Sequence, residues 1–166
     1  MSRFTHRVAT AADIPALVTH MDRAITGPLA AFLTPDLIAD GTFWIVAVDG
    51  ALAGCGGWSG RITEYGGDHT PGRVPTALVP GMDAARIRAM YTAPEFVRQG
   101  VGRVILDLCE SAASQAGFDR AELVATLGGE PLYRSAGYLE IERFEDDRGG
   151  APVPLVRMGK RLAANP

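Results

Sequence analysis

The run Val97-Arg98-Gln99-Gly100-Val101-Gly102 carries two glycines directly ahead of a stretch with helical apolar spacing. A loop of this kind at a helix N-terminus aims several unpaired N–H groups at one spot, where the helix dipole also favours negative charge. Glycine at 100 and 102 lets main chain approach a ligand with no Cβ in the way. The chemistry expected of it is anion binding, with the pyrophosphate of a cofactor as the anion. A second concentration of reactive residue types lies between Ser59 and Asp83, a Gly- and Pro-rich stretch holding Arg61, Glu64, Tyr65, Asp68, His69 and Arg73. Connections of that length in compact domains are commonly functional. This one reads either as a solvated excursion or as part of an acceptor pocket.

The elements that must position these groups follow from periodicity. Ala85 to Thr92 alternates, with Ile87, Ala89 and Tyr91 on one side and Arg86, Arg88, Met90 and Thr92 on the other, and predicts a strand. Pro94 lacks an N–H and biases Ala93 towards an extended conformation, so the ladder stops there. Gly102 to Ala116 then predicts a helix with Val104, Ile105, Leu108, Cys109 and Ala112 on one face and Gly117 as its stop. Phe118 to Thr126 reads as the next strand, so strand, helix and strand form a right-handed crossover between parallel neighbours.

Upstream, Phe4 to Ala9 is a short strand, and Thr10 with Asp13 opens a helix that Gly27-Pro28 interrupts. Leu29 to Leu33 reads as helical, and Thr34-Pro35-Asp36 starts a further helix closing near Gly41. Thr42–Val48 and Ala51–Trp58 flank Asp49-Gly50, a two-residue hairpin signal. Gly54, Gly56 and Gly57 lack nucleotide-loop spacing and read as strand glycines where another backbone or a ligand comes close. Downstream, Gly129-Glu130-Pro131 begins a short helix bearing Leu132 and Tyr133, ended by Gly137. Tyr138–Phe144 and Pro152–Arg161 close the chain as two strands.

Composition sets the frame. The 166 residues suit one domain, 1–166, with 47% hydrophobic and 21% charged residues. A net charge of −3 provides no basic field for nucleic acid or an anionic membrane, so an anion must be held locally. Cys55 and Cys109 stand apart without metal-ligand spacing and read as buried thiols; no metal is expected. With no apolar leader or membrane-length run, the expected setting is the cytoplasm. A mononucleotide loop is disfavoured, since no G-x-x-x-x-G-K-[ST] occurs.

Two fragments together resemble the GCN5-related N-acetyltransferase (GNAT) superfamily: IRAMYTAPEFVRQGVGRVILDLCE at 87–110 and ATLGGEPLYRSAGY at 125–138. The first is similar to the acetyl-CoA motif, a strand ending in hydrophobic-x-x-Pro, then R/Q-x-x-G-x-G/A and a helix. The second is similar to the late motif, a short helix with an aromatic-Tyr pair ahead of Gly-aromatic, here Leu132-Tyr133 and Gly137-Tyr138. Two positions depart: Val97 stands where Arg or Gln is usual, with Arg98 and Gln99 beside it, and Thr126 stands where many members have Asn.

The resemblance implies an α/β fold with a mixed, mostly antiparallel sheet of about seven strands, helices on both faces, and fourth and fifth strands that are parallel and splayed. It implies acetyl-CoA as cosubstrate. N–H groups of Arg98, Gln99, Gly100, Val101 and Gly102 would hold its pyrophosphate, with Thr126 nearby. Main chain at Met90, Tyr91 and Thr92 would hold the pantetheine arm, and an N–H near Met90 would polarise the thioester carbonyl. Tyr133 would be the general acid for the leaving thiolate. The acceptor expected is the primary amine of a small, cationic molecule, and Glu64 is the preferred base over Asp68 and His69, with water as the alternative. The alternative is a non-catalytic acyl-CoA sensor or regulatory subunit. Exposed edges at both ends of such a sheet leave room for a homodimer.

Overall fold

A computed structural model of the chain describes residues 2–24, 35–62, 76–147 and 150–164. In chain order the elements are β1 (Phe4–Val8), α1 (Ile14–Ala24), α2 (Pro35–Ala39), β2 (Phe43–Val48), β3 (Ala51–Ser59), β4 (Ala85–Thr92), α3 (Val101–Gln115), β5 (Arg120–Thr126), α4 (Glu130–Ser135), β6 (Leu139–Asp146) and β7 (Val153–Arg161). Seven strands form one sheet in the order β1-β2-β3-β4-β5-β7-β6. Every neighbouring pair is antiparallel except β4 and β5.

Local chemistry accounts for most boundaries. Asp49 and Gly50 both take left-handed φ, 49° and 84°, as a two-residue hairpin requires, and they join β2 to β3. The Asp13 carboxylate accepts from the Thr10 N–H at 2.8 Å and opens a 3-10 turn, Ala11–Asp13, that runs into α1. At the far end of α3, Gly117 adopts φ +95°, and its N–H and that of Phe118 donate back to the Ser114 and Ala113 carbonyls at 3.0 and 3.1 Å. That pair of bonds satisfies carbonyls the helix would otherwise leave open.

The sheet separates two apolar layers. On one face α3 buries Val101, Ile105, Leu106, Cys109 and Ala113 against Val46, Val48, Ile87 and Leu123. On the other, Leu17 and Met21 of α1 and Leu37 of α2 pack with Phe43, Ile45 and Cys55. Gly54 and Gly56 explain how α3 comes so close. A Cβ on Gly54 would stand 2.6 Å from Val101 Cγ1, and one on Gly56 would stand 2.6 Å from Ile105 Cγ2. Gly54 and Gly56 are therefore seats for side chains of α3, whereas Gly57 lies on the other face against the Thr42 carbonyl and Leu37.

One expectation fails. The period-two reading of β4 put Ile87, Ala89 and Tyr91 on one side, but Ile87 joins the α3 layer while Ala89 and Tyr91 join the α1 layer. The cause is an extra residue. Between Arg88 and Tyr91 the strand spans three steps against two on β3, from Gly57 to Cys55, and Ala89 sits at φ +53°. This bulge reverses the alternation and turns Met90 towards α3. Gly27-Pro28, Leu29–Leu33 and Thr34 lie outside the described residues.

Candidate active site

The parallel ladder between β4 and β5 has only two rungs, Ala85 with Ala121 and Arg86 with Glu122, and the side chains of the second rung also form an ion pair. Beyond it β5 continues along β7 to Thr126, while β4 continues along β3 to Thr92. The two strands part after Arg86, ahead of the Ala89 bulge, and β4 is left with an inner edge that has no strand beside it among the described residues. Ala93 donates its N–H to Ala53 on β3 at 2.9 Å, so by alternation the N–H and C=O of Thr92 point into the gap, and so does the Met90 C=O, which shares a peptide with the β3-facing Tyr91 N–H. Main-chain groups that face a gap with no described strand across it fit an extended, amide-bearing ligand.

The Gly-containing turn stands at the mouth of that gap. Arg98 and Gly100 both take left-handed φ, 63° and 89°, and Gly100 caps α3. The first intrahelical bond at this end runs from the Val104 N–H to the Gly100 carbonyl at 3.1 Å, so Val101, Gly102 and Arg103 offer N–H groups with no intrahelical acceptor. Successive N–H groups around a left-handed residue form an anion-binding concavity. The Arg98 side chain is exposed there. That of Gln99 is committed: it accepts from Arg3 at 2.8 Å and donates to the Glu95 carbonyl at 2.9 Å. Gln99 therefore fixes the turn with its side chain and has only its main-chain N–H to offer an anion.

Helix α4 delivers Tyr133. A Cβ on Gly102 would lie 2.9 Å from Leu132 Cδ2, so the missing side chain lets α4 dock on the first turn of α3. The Tyr133 hydroxyl stands 3.7 Å from the Met90 sulfur, across the gap, and its ring meets the buried Tyr138 ring edge-on at 6.0 Å. Burial, with Cys109 and Tyr91 adding, pushes the Tyr133 phenol above its ordinary value, so it keeps its proton at neutral pH. Behind Tyr138, Lys160 pairs with Glu110 at 2.7 Å and sits over the ring at 5.6 Å. Thr126, at the end of β5, is exposed and accepts from the Gly129 N–H at 3.2 Å, which fixes the entry to α4.

Residues 39–140 match the family model described as "Acetyltransferase (GNAT) domain". The chain belongs to the GNAT family. This acetyltransferase also resembles solved members in fold. It is 16% identical to the ribosomal-protein-S18-alanine N-acetyltransferase from Escherichia coli, with a TM-score of 0.67 over 98% of this chain and 96% of that one. N-acetylglutamate synthase from Neisseria gonorrhoeae, complexed with coenzyme A and L-arginine, aligns over 98% of this chain and 34% of its own, with 19% identity and a TM-score of 0.64. An Arabidopsis thaliana protein bound to the bisubstrate analogue CoA-Ac-MVNAL aligns over 97% and 100%, with 11% identity and a TM-score of 0.70. No curated protein sequence matches significantly. The acetyltransferase uses acetyl-CoA as cosubstrate, and its activity is acyl transfer.

Glu64, Asp68 and His69, the candidate bases, lie outside the described residues, as do Tyr65 and Arg73. Arg61 is described and pairs with Asp40 at 3.0 Å. Among the described residues no three His, Cys, Asp or Glu side chains stand together to hold a metal, and no helix is long and apolar enough to cross a membrane. The sequence reading missed His20, a buried residue of α1 whose Nε2 lies 3.3 Å from the Tyr91 carbonyl oxygen. The only signal for it was a histidine on the apolar stripe between Leu17 and Met21.

Proposed function

We propose that this chain, as a single domain over residues 1–166, moves the acetyl group of acetyl-CoA directly to the primary amine of a small, cationic acceptor. Acetyl-CoA supplies an activated thioester. N–H groups of Arg98, Gln99, Gly100, Val101 and Gly102 bind its diphosphate, with Thr126 close by. Met90, Tyr91 and Thr92 align the pantetheine arm as an added strand, and the Met90 N–H stabilises charge on the thioester oxygen. A neutral amine attacks the carbonyl carbon, and Tyr133 donates its Oη proton to sulfur as the C–S bond breaks. The amine's own proton goes to a base, for which Glu64 is the candidate.

The observation that supports this reading most is the pairing of an open inner β4 edge with a protonated Tyr133 across it. Direct transfer is favoured over an acyl-enzyme because both thiols are buried: burial pushes Cys55 up to about 12 and Cys109 higher still. Fold does not choose the acceptor, since the similar structures carry names as different as ribosomal-protein-alanine and glutamate acetylation. The net charge of −3 and the Glu64 and Asp68 carboxylates support a cationic one. Free, buried thiols suit a reducing cytoplasm, and the β1 and β6 edges are open to a homodimer.

The test is CoA release with acetyl-CoA and a panel of small polyamines, neutral amines, amino acids and peptides with a free N-terminal alanine. The small polyamines are expected to give the highest kcat/KM. A preference for peptides would overturn the acceptor assignment. Tight CoA binding without turnover on any amine would favour the sensor.

A further inference from the structure

Past the bulge at Ala89, β4 has lost one of its two flanking strands, and this is the stretch that must hold the cosubstrate. The β3 ladder holds this stretch from one side, with Tyr91 opposite Cys55 and Thr92 opposite Gly54, and α1 adds a second hold. Two residues one turn apart on α1 reach it. Arg23 forms an ion pair with Glu95, just beyond the strand end. His20, only 4% exposed, brings Nε2 to 3.3 Å from the Tyr91 carbonyl oxygen. A carbonyl oxygen only accepts, so Nε2 carries the hydrogen and donates.

The Tyr91 carbonyl and the Thr92 N–H belong to one planar peptide and point in opposite directions. Tyr91 stands opposite Cys55 on β3, with its carbonyl on that side, which turns the Thr92 N–H into the gap. A carbonyl oxygen has two lone pairs, so a donor added beside the β3 rung steadies the plane further and polarises the N–H at its other end. We infer that His20 is a positioning residue for the pantetheine arm: from the opposite face of the sheet it holds the Tyr91–Thr92 peptide so that the Thr92 N–H meets the arm. The inference rests on the reading that the arm runs along β4. It asks nothing of His20 at the reacting atoms, and it explains why a polar ring replaces an aliphatic one between Leu17 and Met21.

The experiment compares two ligands by calorimetry: CoA, which has the arm, and 3′-phospho-ADP, which has the diphosphate and lacks it. In the unaltered protein CoA should bind more tightly, and equal affinities would sink the placement of the arm itself. In His20→Leu, loss of one hydrogen bond should weaken CoA by about 3- to 10-fold. The same change should leave 3′-phospho-ADP within about twofold, and His20→Gln, which keeps a donor at similar reach, should restore CoA binding. If His20→Leu keeps the full preference for CoA, or weakens both ligands alike, the inference about His20 is overturned while the arm's placement stands. Should His20→Leu not fold, His20→Met removes the donor with little change in volume and is judged by the same two affinities.

Discussion

The Tyr133 hydroxyl faces the Met90 sulfur at 3.7 Å across the gap between β4 and β5. A thioether is a weak acceptor, so among the described residues this hydroxyl has no strong partner and keeps its proton for a better one. Tyr133→Phe removes that proton and little volume. kcat is expected to fall by about 10²- to 10⁴-fold, the usual worth of a general acid. KM for acetyl-CoA should stay within about threefold, because the diphosphate and the arm are held by main chain. Steady-state kinetics with a fixed acceptor separates the two constants, and an unchanged kcat in a folded variant would remove Tyr133 from the mechanism.

Gly56 sets the depth of α3 in the sheet. Its missing side chain leaves room for Ile105 Cγ2, which would be 2.6 Å from an added Cβ, and for Met90 Cγ at 2.9 Å. Gly56→Ala should therefore destabilise the protein by about 1–3 kcal/mol through overpacking and should also displace Met90. Gly60→Ala is the control, since its nearest atom would be Phe118 Cζ at 3.6 Å, ordinary contact. Thermal denaturation should separate the two variants clearly, and equal midpoints would show that the α3 layer yields more easily than its packing suggests.

What the sequence disclosed depended on whether a feature has a residue-level cause. Asp49-Gly50 and Gly117 announce left-handed backbone because few residue types tolerate it, and each was found where its type demanded. Gly100 announced the left-handed cap of α3 in the same way, whereas Tyr133 on α4 was singled out by the resemblance of its motif alone. Ala89 at φ +53° has no such signature, because alanine rarely adopts that conformation and nothing in ARIRAMYT marks the extra residue. The bulge shows only in the register against β3, where Arg88 and Tyr91 face Gly57 and Cys55. Likewise the insertion of β7 between β5 and β6 is a long-range pairing that periodicity does not carry. Gln99 looked available until its tie to Arg3, 96 residues away, was seen.

The thiols provide a test of direct transfer. Cys55 and Cys109 are fully enclosed, and burial raises both, Cys55 to about 12. At pH 8 neither should react measurably with a thiol-specific disulfide reagent unless the protein is unfolded. Cys55→Ala should retain turnover, and initial-velocity patterns should intersect, as a ternary complex requires. Parallel lines, together with acetyl label trapped on a cysteine, would replace direct transfer by a two-step route.

His20 gives the fold its own dependence on pH. Burial is the main influence on the ring and lowers its pKa, with Arg23 acting the same way, while the Tyr91 carbonyl and Glu95 oppose it. In the unfolded chain the ring titrates near its ordinary value of about 6.5. Below that pH the unfolded state takes up a proton that the folded state resists. The stability associated with neutral His20 is thus complete above about pH 6.5 and is lost as pH falls towards the folded value, with a slope of at most about 1.4 kcal/mol per pH unit. Asp13, Glu95 and Glu130 are shifted downward by their arginine partners and lose stability only at lower pH, so the windows separate. Urea denaturation between pH 7.5 and 5 (values chosen to bracket roughly the histidine range) should show a declining midpoint in the unaltered protein and a flatter one in His20→Gln, whose side chain takes up no proton. Identical slopes would mean that the buried ring accepts its proton as readily folded as unfolded, against the environment that α1 and β4 build around it.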